Sequence, residues 1–175
     1  MEREEVYKPY KGEKVYIRRP KYEEISYINR LWSDEETTGE LGGPFSLTAE
    51  KAKTWYPKMV NPTDGKNFYC LIFNNHNEPV GEVSFHRYDT KTKTAELNIK
   101  IESIYRGNGY STEALYLLLN YYFFEFGGET MNDPVLLENK RGQHFLLKFG
   151  FDHIESEKDV FLLRMTKDKF IDLYV

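Results

Sequence analysis

One cysteine, Cys70, stands in a chain of 175 residues. A lone thiol excludes an internal disulfide and a cluster of thiolate ligands, and no metal site is expected. Cys70 lies in the apolar run Phe68-Tyr69-Cys70-Leu71-Ile72-Phe73, where a buried, inert side chain is expected. Long hydrophobic runs are also missing. The longest apolar stretch, residues 114–126, is too short to cross a bilayer and contains Asn120 and Glu125. Residues 1–14 are charged and hold no apolar signal core, so a cytoplasmic location with no membrane partner is the expectation. Positive charge is not in excess: 24 Lys and Arg face 28 Asp and Glu, a formal net charge of −4. The cations are scattered rather than striped, which speaks against a nucleic-acid partner. Repeats, low-complexity tracts and linkers are absent. The length fits a single domain over residues 1–175, with residues 1–14 as a polar N-terminal extension.

What the chain does have is core material. Hydrophobic residues make up 40% and aromatics alone 16%, which excludes a disordered chain. A short strand is predicted at 15–19, stopped by Pro20. Residues 22–32 have helical spacing through Ile25, Ile28 and Trp32. Thr48 reads as an N-cap for a helix over Ala49–Met59. Three antiparallel strands follow at Phe68–Asn74, 80–88 and Thr94–Ile101. A strongly apolar helix at 109–126 ends at Gly127-Gly128. A short strand at 135–137, a helix at 141–148 and a hairpin from Phe151 complete the order. Strands and helices do not alternate as in a doubly wound fold, so the class is α+β with a mixed sheet.

The informative segment is Tyr105-Arg106-Gly107-Asn108-Gly109-Tyr110-Ser111-Thr112-Glu113-Ala114-Leu115. It joins a strand to a long apolar helix. Glycines there admit backbone conformations closed to other residues and remove side chains from a ligand's path. A helix start offers unpaired N–H groups and a positive dipole end. Together they suit a phosphate-bearing ligand. A P-loop needs Gly-Lys-Ser/Thr, which is absent, and a dinucleotide fingerprint needs a third glycine where Thr112 stands.

This segment resembles motif A of the GNAT superfamily, Arg/Gln-x-x-Gly-x-Gly/Ala, with Arg106, Gly109 and Ser111 at its defined positions. Ser111 departs from Gly/Ala but is small. Asn139 to Phe151 is similar to a later motif of that family, Asn-x-x-Ala-x-x-Leu-Tyr-x-x-x-Gly-Phe. Asn139, Phe145, Gly150 and Phe151 fall in register, and Gly142 replaces the Ala. The resemblance covers residues 15–165, and the overall length and helix-rich front half resemble the ribosomal-protein and spermidine acetyltransferase branches. It implies a mixed, mostly antiparallel central sheet flanked by helices, and N-acetyl transfer from acetyl-CoA, as co-substrate, to a primary amine of a small molecule or a protein N-terminus. Homodimers are frequent among such folds. The resemblance also implies that Arg106, Gly107, Asn108, Gly109, Tyr110 and Ser111 hold the coenzyme A pyrophosphate, with Asn139 beside them. Backbone groups of Asn98, Ile99, Lys100 and Ile101 would pair with the pantetheine arm as an added strand.

Leu146 stands where many family members carry a Tyr acting as general acid, and a leucine cannot donate a proton. That departure keeps a second function open: a coenzyme A-binding regulatory module with little or no turnover. Strand alternation supplies candidates for a general base. Glu82, Ser84 and His86 face one side of their strand, and Glu96, Asn98 and Lys100 one side of the next. If Tyr88 pairs with Thr94, then His86 lies opposite Glu96, Ser84 opposite Asn98 and Glu82 opposite Lys100. Glu82, Glu96 and His86 are the three candidates, set against a solvated face of cross-strand ion pairs. Asp34, Glu35, Glu36 and Glu40 would favour a cationic amine if they walled the acceptor site, or form an ordinary acidic loop. Trp32, Phe45, Trp55 and Tyr56 are candidates for an aromatic wall or for core.

Overall fold

The computed structural model describes residues 5–157 and 159–175. The first four residues of the expected extension, and Lys158 in the expected final hairpin, lie outside them. The first described strand, β1 (Tyr10–Lys11), pairs with β2 (Val15–Arg18) at the sheet edge. A single 3-10 turn at Tyr22–Glu24 leads into α1 (Ile25–Ser33), which buries Ile25, Tyr27, Ile28 and Leu31 on one face. The short α2 (Glu35–Thr38) runs into a 3-10 turn at Gly39–Leu41. Helix α3 (Ala49–Met59) begins where expected, with Thr48 Oγ1 accepting from the Lys51 N–H at 3.2 Å.

Strands β3 (Phe68–Asn74), β4 (Pro79–Asp89) and β5 (Thr94–Ile101) form the predicted antiparallel meander. The register of β4 on β5 is as expected: Glu82↔Lys100, Ser84↔Asn98 and His86↔Glu96. The premise behind it was off by one, because Thr94 pairs with Asp89 rather than Tyr88. A bulge takes up the difference, and Arg87 sits in it at φ 56°.

Helix α4 (Tyr110–Tyr121) continues as a π turn over Tyr122–Phe126 and ends at Gly127. Strand β6 (Thr130–Leu136) is longer than the expected 135–137 and starts five residues earlier. Then come α5 (Lys140–Phe149), the hairpin β7 (Asp152–Glu157) and β8 (Val160–Thr166), and α6 (Lys167–Tyr174), a terminal helix that sequence reasoning missed.

Among the described residues the strands form one sheet of eight in the order β1-β2-β3-β4-β5-β6-β8-β7. Neighbours are antiparallel except β5 and β6. The fold is therefore the expected mixed, mostly antiparallel sheet flanked by helices. Two cores hold it, one on each face. Leu115, Leu118 and Leu119 of α4 and Leu146 and Phe149 of α5 pack on one side. Ile28 and Leu31 of α1 and Ala52 and Tyr56 of α3 pack on the other. Each fully buried Leu or Ile contributes roughly 1.5–3 kcal/mol. Phe68 stacks on Tyr121 at 4.2 Å and Phe85 meets Tyr122 at 4.8 Å, so much of the aromatic content lies inside. Cys70 is buried as expected, and burial pushes its thiol pKa up.

One irregularity positions everything that follows. The β5–β6 ladder runs Thr94↔Thr130, Ala95↔Met131, Glu96↔Asn132 and stops. Beyond it β5 continues to Ile101, and β6 continues to Leu136 while pairing only with β8. The two strands splay apart, and the middle of the sheet opens as a slot.

Candidate active site

Three cavities meet along that slot. The first, about 260 Å³, lies under the loop between β5 and α4. Its glycines have the conformation the motif requires: Gly107 and Gly109 take φ of +86° and +77°, in the left-handed region that favours glycine. A side chain at Gly107 would meet nothing within 4 Å, so the space over the loop is open. Among the described residues no acceptor faces the backbone N–H groups of Gly107, Asn108, Gly109, Tyr110 or Ser111. Together with the N-terminal end of α4 they form a row of free donors with a positive field.

The expected row was drawn one residue too long. The Arg106 N–H donates to the Ser103 carbonyl at 3.3 Å. The Arg106 guanidinium instead donates to the carbonyls of Glu36 and Thr37, both at 3.2 Å, and so ties α2 to this loop. The Ser103 N–H adds a bond to Thr37 Oγ1 at 2.9 Å. Asn108 points away, its side-chain amide donating to the Tyr105 carbonyl at 2.8 Å, and it does not line the cavity. Arg106, Gly107, Gly109, Tyr110, Ser111, Ile99, Lys100, Ile101 and Asn139 do line it. Arg141, on α5, was missed and also lines it. Burial and the nearby Arg141 charge pull the Arg106 pKa below its ordinary value, so two guanidiniums share one cavity wall.

Asn139 caps α5, its Oδ1 accepting from the Gly142 N–H at 2.9 Å. A Cβ at Gly142 would stand 2.5 Å from Asn139 Nδ2. The glycine that replaces the expected alanine thus makes room for the folded-back Asn139 side chain.

The second cavity, about 280 Å³, is the slot itself. It shares Ile99, Lys100, Asn139 and Phe145 with the first. Leu146, Glu96, Asn98 and Asp133 also line it. His144 is exposed on the far side of α5.

The third cavity, about 440 Å³, opens between α1, α3 and the polar face of β4. Trp32, Trp55 and Tyr69 line it, meeting edge-to-face at 5.5 and 4.9 Å. Of the other two aromatic candidates, Phe45 lines the slot. Tyr56 is core, its hydroxyl donating to the Pro20 carbonyl at 2.8 Å. His86 and Asn98 line both the slot and this third cavity, and so mark where the two meet.

The polar ladder carries the cross-strand ion pairs of the non-catalytic alternative, with its His86–Glu96 end partly exposed and its Glu82 end buried. Glu82 is wholly buried. Its Oε1 accepts from Trp32 Nε1 and lies 3.6 Å from the Lys100 ammonium. Among the described residues its Oε2 has no hydrogen-bond partner, while burial and the Glu82 charge hold the Tyr69 phenol well above its ordinary pKa. Glu96 is held by His86 Nε2 at 3.3 Å and Arg87 at 3.1 Å. Burial lowers the His86 pKa, against the opposing pull of Glu96, so its imidazole is neutral at neutral pH.

The acidic segment does not wall the third cavity. Asp34 accepts from Thr37 Oγ1 and from Ser103 Oγ, the latter at 3.1 Å. Glu40 lies 3.8 Å from Arg141 beside the first cavity. Asp34, Glu35, Glu36 and Glu40 are absent from the third cavity's lining, where Lys58 and Lys66 stand at the rim with Asp64.

The family model for the acetyltransferase (GNAT) domain matches residues 14–152. The chain belongs to that family. As a GNAT acetyltransferase it is an acyltransferase. It is 23% identical over 166 residues to an uncharacterized N-acetyltransferase, p20, of Bacillus licheniformis, covering 93% of this chain and 91% of that one. Its fold is similar to a spermidine N-acetyltransferase from Vibrio cholerae in complex with CoA and spermine. The TM-score is 0.78 at 17% identity, over 90% of this chain and 98% of that one. It is also similar to a GNAT-family acetyltransferase from Bacillus anthracis, with a TM-score of 0.76 at 20% identity, over 92% and 99% of the two chains. Among the described residues no helix of this acetyltransferase is long and apolar enough to cross a membrane, and no group of three or more His, Cys, Asp or Glu could hold a metal ion.

Proposed function

We propose that this acetyltransferase moves an acetyl group from acetyl-CoA to a primary amine, with the thioester in the slot and the amine in the aromatic third cavity. The observation that carries this reading is the unbroken run of cavities through shared residues. It leads from the free N–H row, by the open edge of β5, to His86.

The residues suit the co-substrate. Free amides of Gly107 to Ser111, with Arg106 and Arg141 in the same wall, complement a pyrophosphate. The unpaired edge of β5 from Asn98 to Ile101 offers main-chain groups to the two amides of a pantetheine arm. Among the described residues no acceptor takes a hydrogen from Asn139 Nδ2, which is placed to donate there.

The amine must lose a proton to become a nucleophile. His86 is the base in this reading, because it alone of Glu82, Glu96 and His86 lines both the slot and the amine cavity. Glu96 holds its ring, and burial, which lowers its pKa, keeps the imidazole unprotonated and able to accept a proton. Glu82 is the counter-charge of Lys100 instead. The Vibrio cholerae relative is named for spermidine, a polycation. Here Lys58 and Lys66 at the mouth favour an amine that also carries an acidic group, as a small molecule or a peptide N-terminus.

The test is thiol release from acetyl-CoA over a panel of polyamines, amino-acid amines and peptide N-termini. Release with an acidic amine and not with spermidine supports the reading. Tight coenzyme A binding with no release on any amine would turn it into the binding module that Leu146 suggests.

A further inference from the structure

Asp133 belongs to none of the roles above. It is the first β6 residue past the last β5–β6 pair, at the mouth of the splay. Its strand neighbours of like orientation are Met131 and Val135, and its cross-strand partner on β8 is Leu163. All three are buried in the core that contains Leu146. Asp133 therefore faces the α5 side of the sheet, away from the Trp32 and Trp55 cavity, whose lining does not include it. It lines the slot with Leu146, Phe145 and Val135. No hydrogen-bond or ion-pair partner holds its carboxyl among the described residues. Asp133 is only partly buried, yet apolar side chains surround it and no cation or donor compensates its carboxyl, so its charged form is disfavoured.

We propose that Asp133 is the general acid of the reaction, taking the place that the side chain at Leu146 cannot fill. The inference rests on the acetyl-transfer reading. The amine nitrogen attacks the thioester carbon while His86 accepts the amine proton. As the carbon–sulfur bond breaks, its electron pair passes to sulfur, and the Asp133 O–H gives its proton to that sulfur. The nitrogen sheds its second proton to solvent as the amide forms, so that free thiol, a protonated His86 and an Asp133 carboxylate result. His86 releases its proton to solvent, and solvent returns one to Asp133, before the next cycle. Base and acid thus stand on opposite faces of the splay. The surroundings keep the acid loaded: burial, and then the Glu96 charge, raise the Asp133 pKa to about 8, with Lys100 opposing. Those two and His86 are the titratable side chains that share the slot with it, and α5 contributes Asn139, Gly142, Phe145 and Leu146, none of them titratable.

The experiment compares wild type, Asp133→Asn and the double variant Asp133→Asn/Leu146→Tyr. In wild type, turnover should fall as pH rises through about 8, where the acid form is lost. Asp133→Asn should lose about 10²–10⁴-fold in kcat, lose that alkaline limb, and keep its coenzyme A affinity within a factor of about three. The double variant should regain at least about tenfold, with the limb displaced towards the phenol range near pH 10. Infrared spectra of wild type without ligand give a reading independent of turnover and of whether the variant folds. A protonated carboxyl band should persist at pH 7 and vanish above pH 9, and the folded Asp133→Asn variant should lack it. Asp133 ionised at pH 6, or an Asp133→Asn enzyme with wild-type kcat and an intact alkaline limb, would overturn the assignment. Failure of wild type to release thiol with any amine would instead overturn the reading beneath it.

Discussion

The Glu82 carboxylate and the Lys100 ammonium face each other across neighbouring strands at 3.6 Å, with 0% and 9% of their side chains exposed. A buried pair of this kind is costly to break from one side, because the remaining charge stays uncompensated. Glu82→Gln should therefore destabilise the fold by about 3–5 kcal/mol in urea unfolding. Glu82→Gln/Lys100→Met should recover most of that loss. Equal losses in the single and double variants would show that the pair is not the cause.

The phosphate loop makes a separate prediction. Gly107→Ala asks an L-residue to hold φ near +86° with no steric contact, which costs roughly 1–2 kcal/mol. It should weaken coenzyme A about tenfold by disturbing the N–H row. Gly109→Glu should abolish binding, since it adds a negative charge beside the phosphates. Calorimetric titration with coenzyme A checks both, and unaltered affinity in folded Gly109→Glu would remove the loop from the site.

Glu113 carries a structural task within the motif. Its carboxylate accepts the N–H groups of Glu13, Lys14 and Val15 at 2.8, 2.7 and 2.6 Å. Charge-assisted bonds of this type are worth about 1.5–3 kcal/mol each. Glu113→Ala should lower stability by about 2–4 kcal/mol, discounted for partial exposure. It should change turnover little at temperatures where the variant is folded. A kcat loss without a stability loss would give Glu113 a part in the chemistry instead.

His86 ties stability to pH. Its folded pKa lies below the ordinary value of 6.5, so between the two the unfolded chain binds more protons than the folded one. Stability is then fully present above about pH 6.5 and declines as pH falls through that window. Turnover should decline in the same direction as the base is protonated. His86→Gln should flatten both dependences, measured by urea unfolding and by initial rates from pH 5 to 8.

Much of this was legible in the residues. Alternation put Glu82, Ser84 and His86 on one face with Glu96, Asn98 and Lys100, because a one-residue slip would turn apolar Val83 and Phe85 out of the core. Which opposes which came from an assumed Tyr88–Thr94 pair, whose one-residue error the bulge absorbs. The Arg87 bulge was invisible, since nothing marks an arginine for a left-handed φ. Strand β6 was cut short because Pro134 argues against a central strand. Pro134 falls where β5 has already diverged, so the strand carries it, and Asp133 was hidden by the same misreading. Helix α6 was missed because its Lys-Asp-Lys opening is polar. Its Phe170 is nonetheless wholly buried, and Thr166 caps it by accepting from the Lys169 N–H. Arg141 gave no signal, because its place in the wall depends on how α5 docks.

A sheet that divides in its own middle keeps two raw borders where most proteins would have none. Exposed on a rim, such borders invite other chains to stack on and aggregate. Here they lie inside a slot, where a slender thioester arm could complete the weave and a neighbouring polypeptide would not fit. Ligand-free protein should consequently be soft along this seam. Amide exchange in Leu97 to Ile101 should slow markedly once the seam is filled, while β3, already flanked on both sides, should scarcely respond.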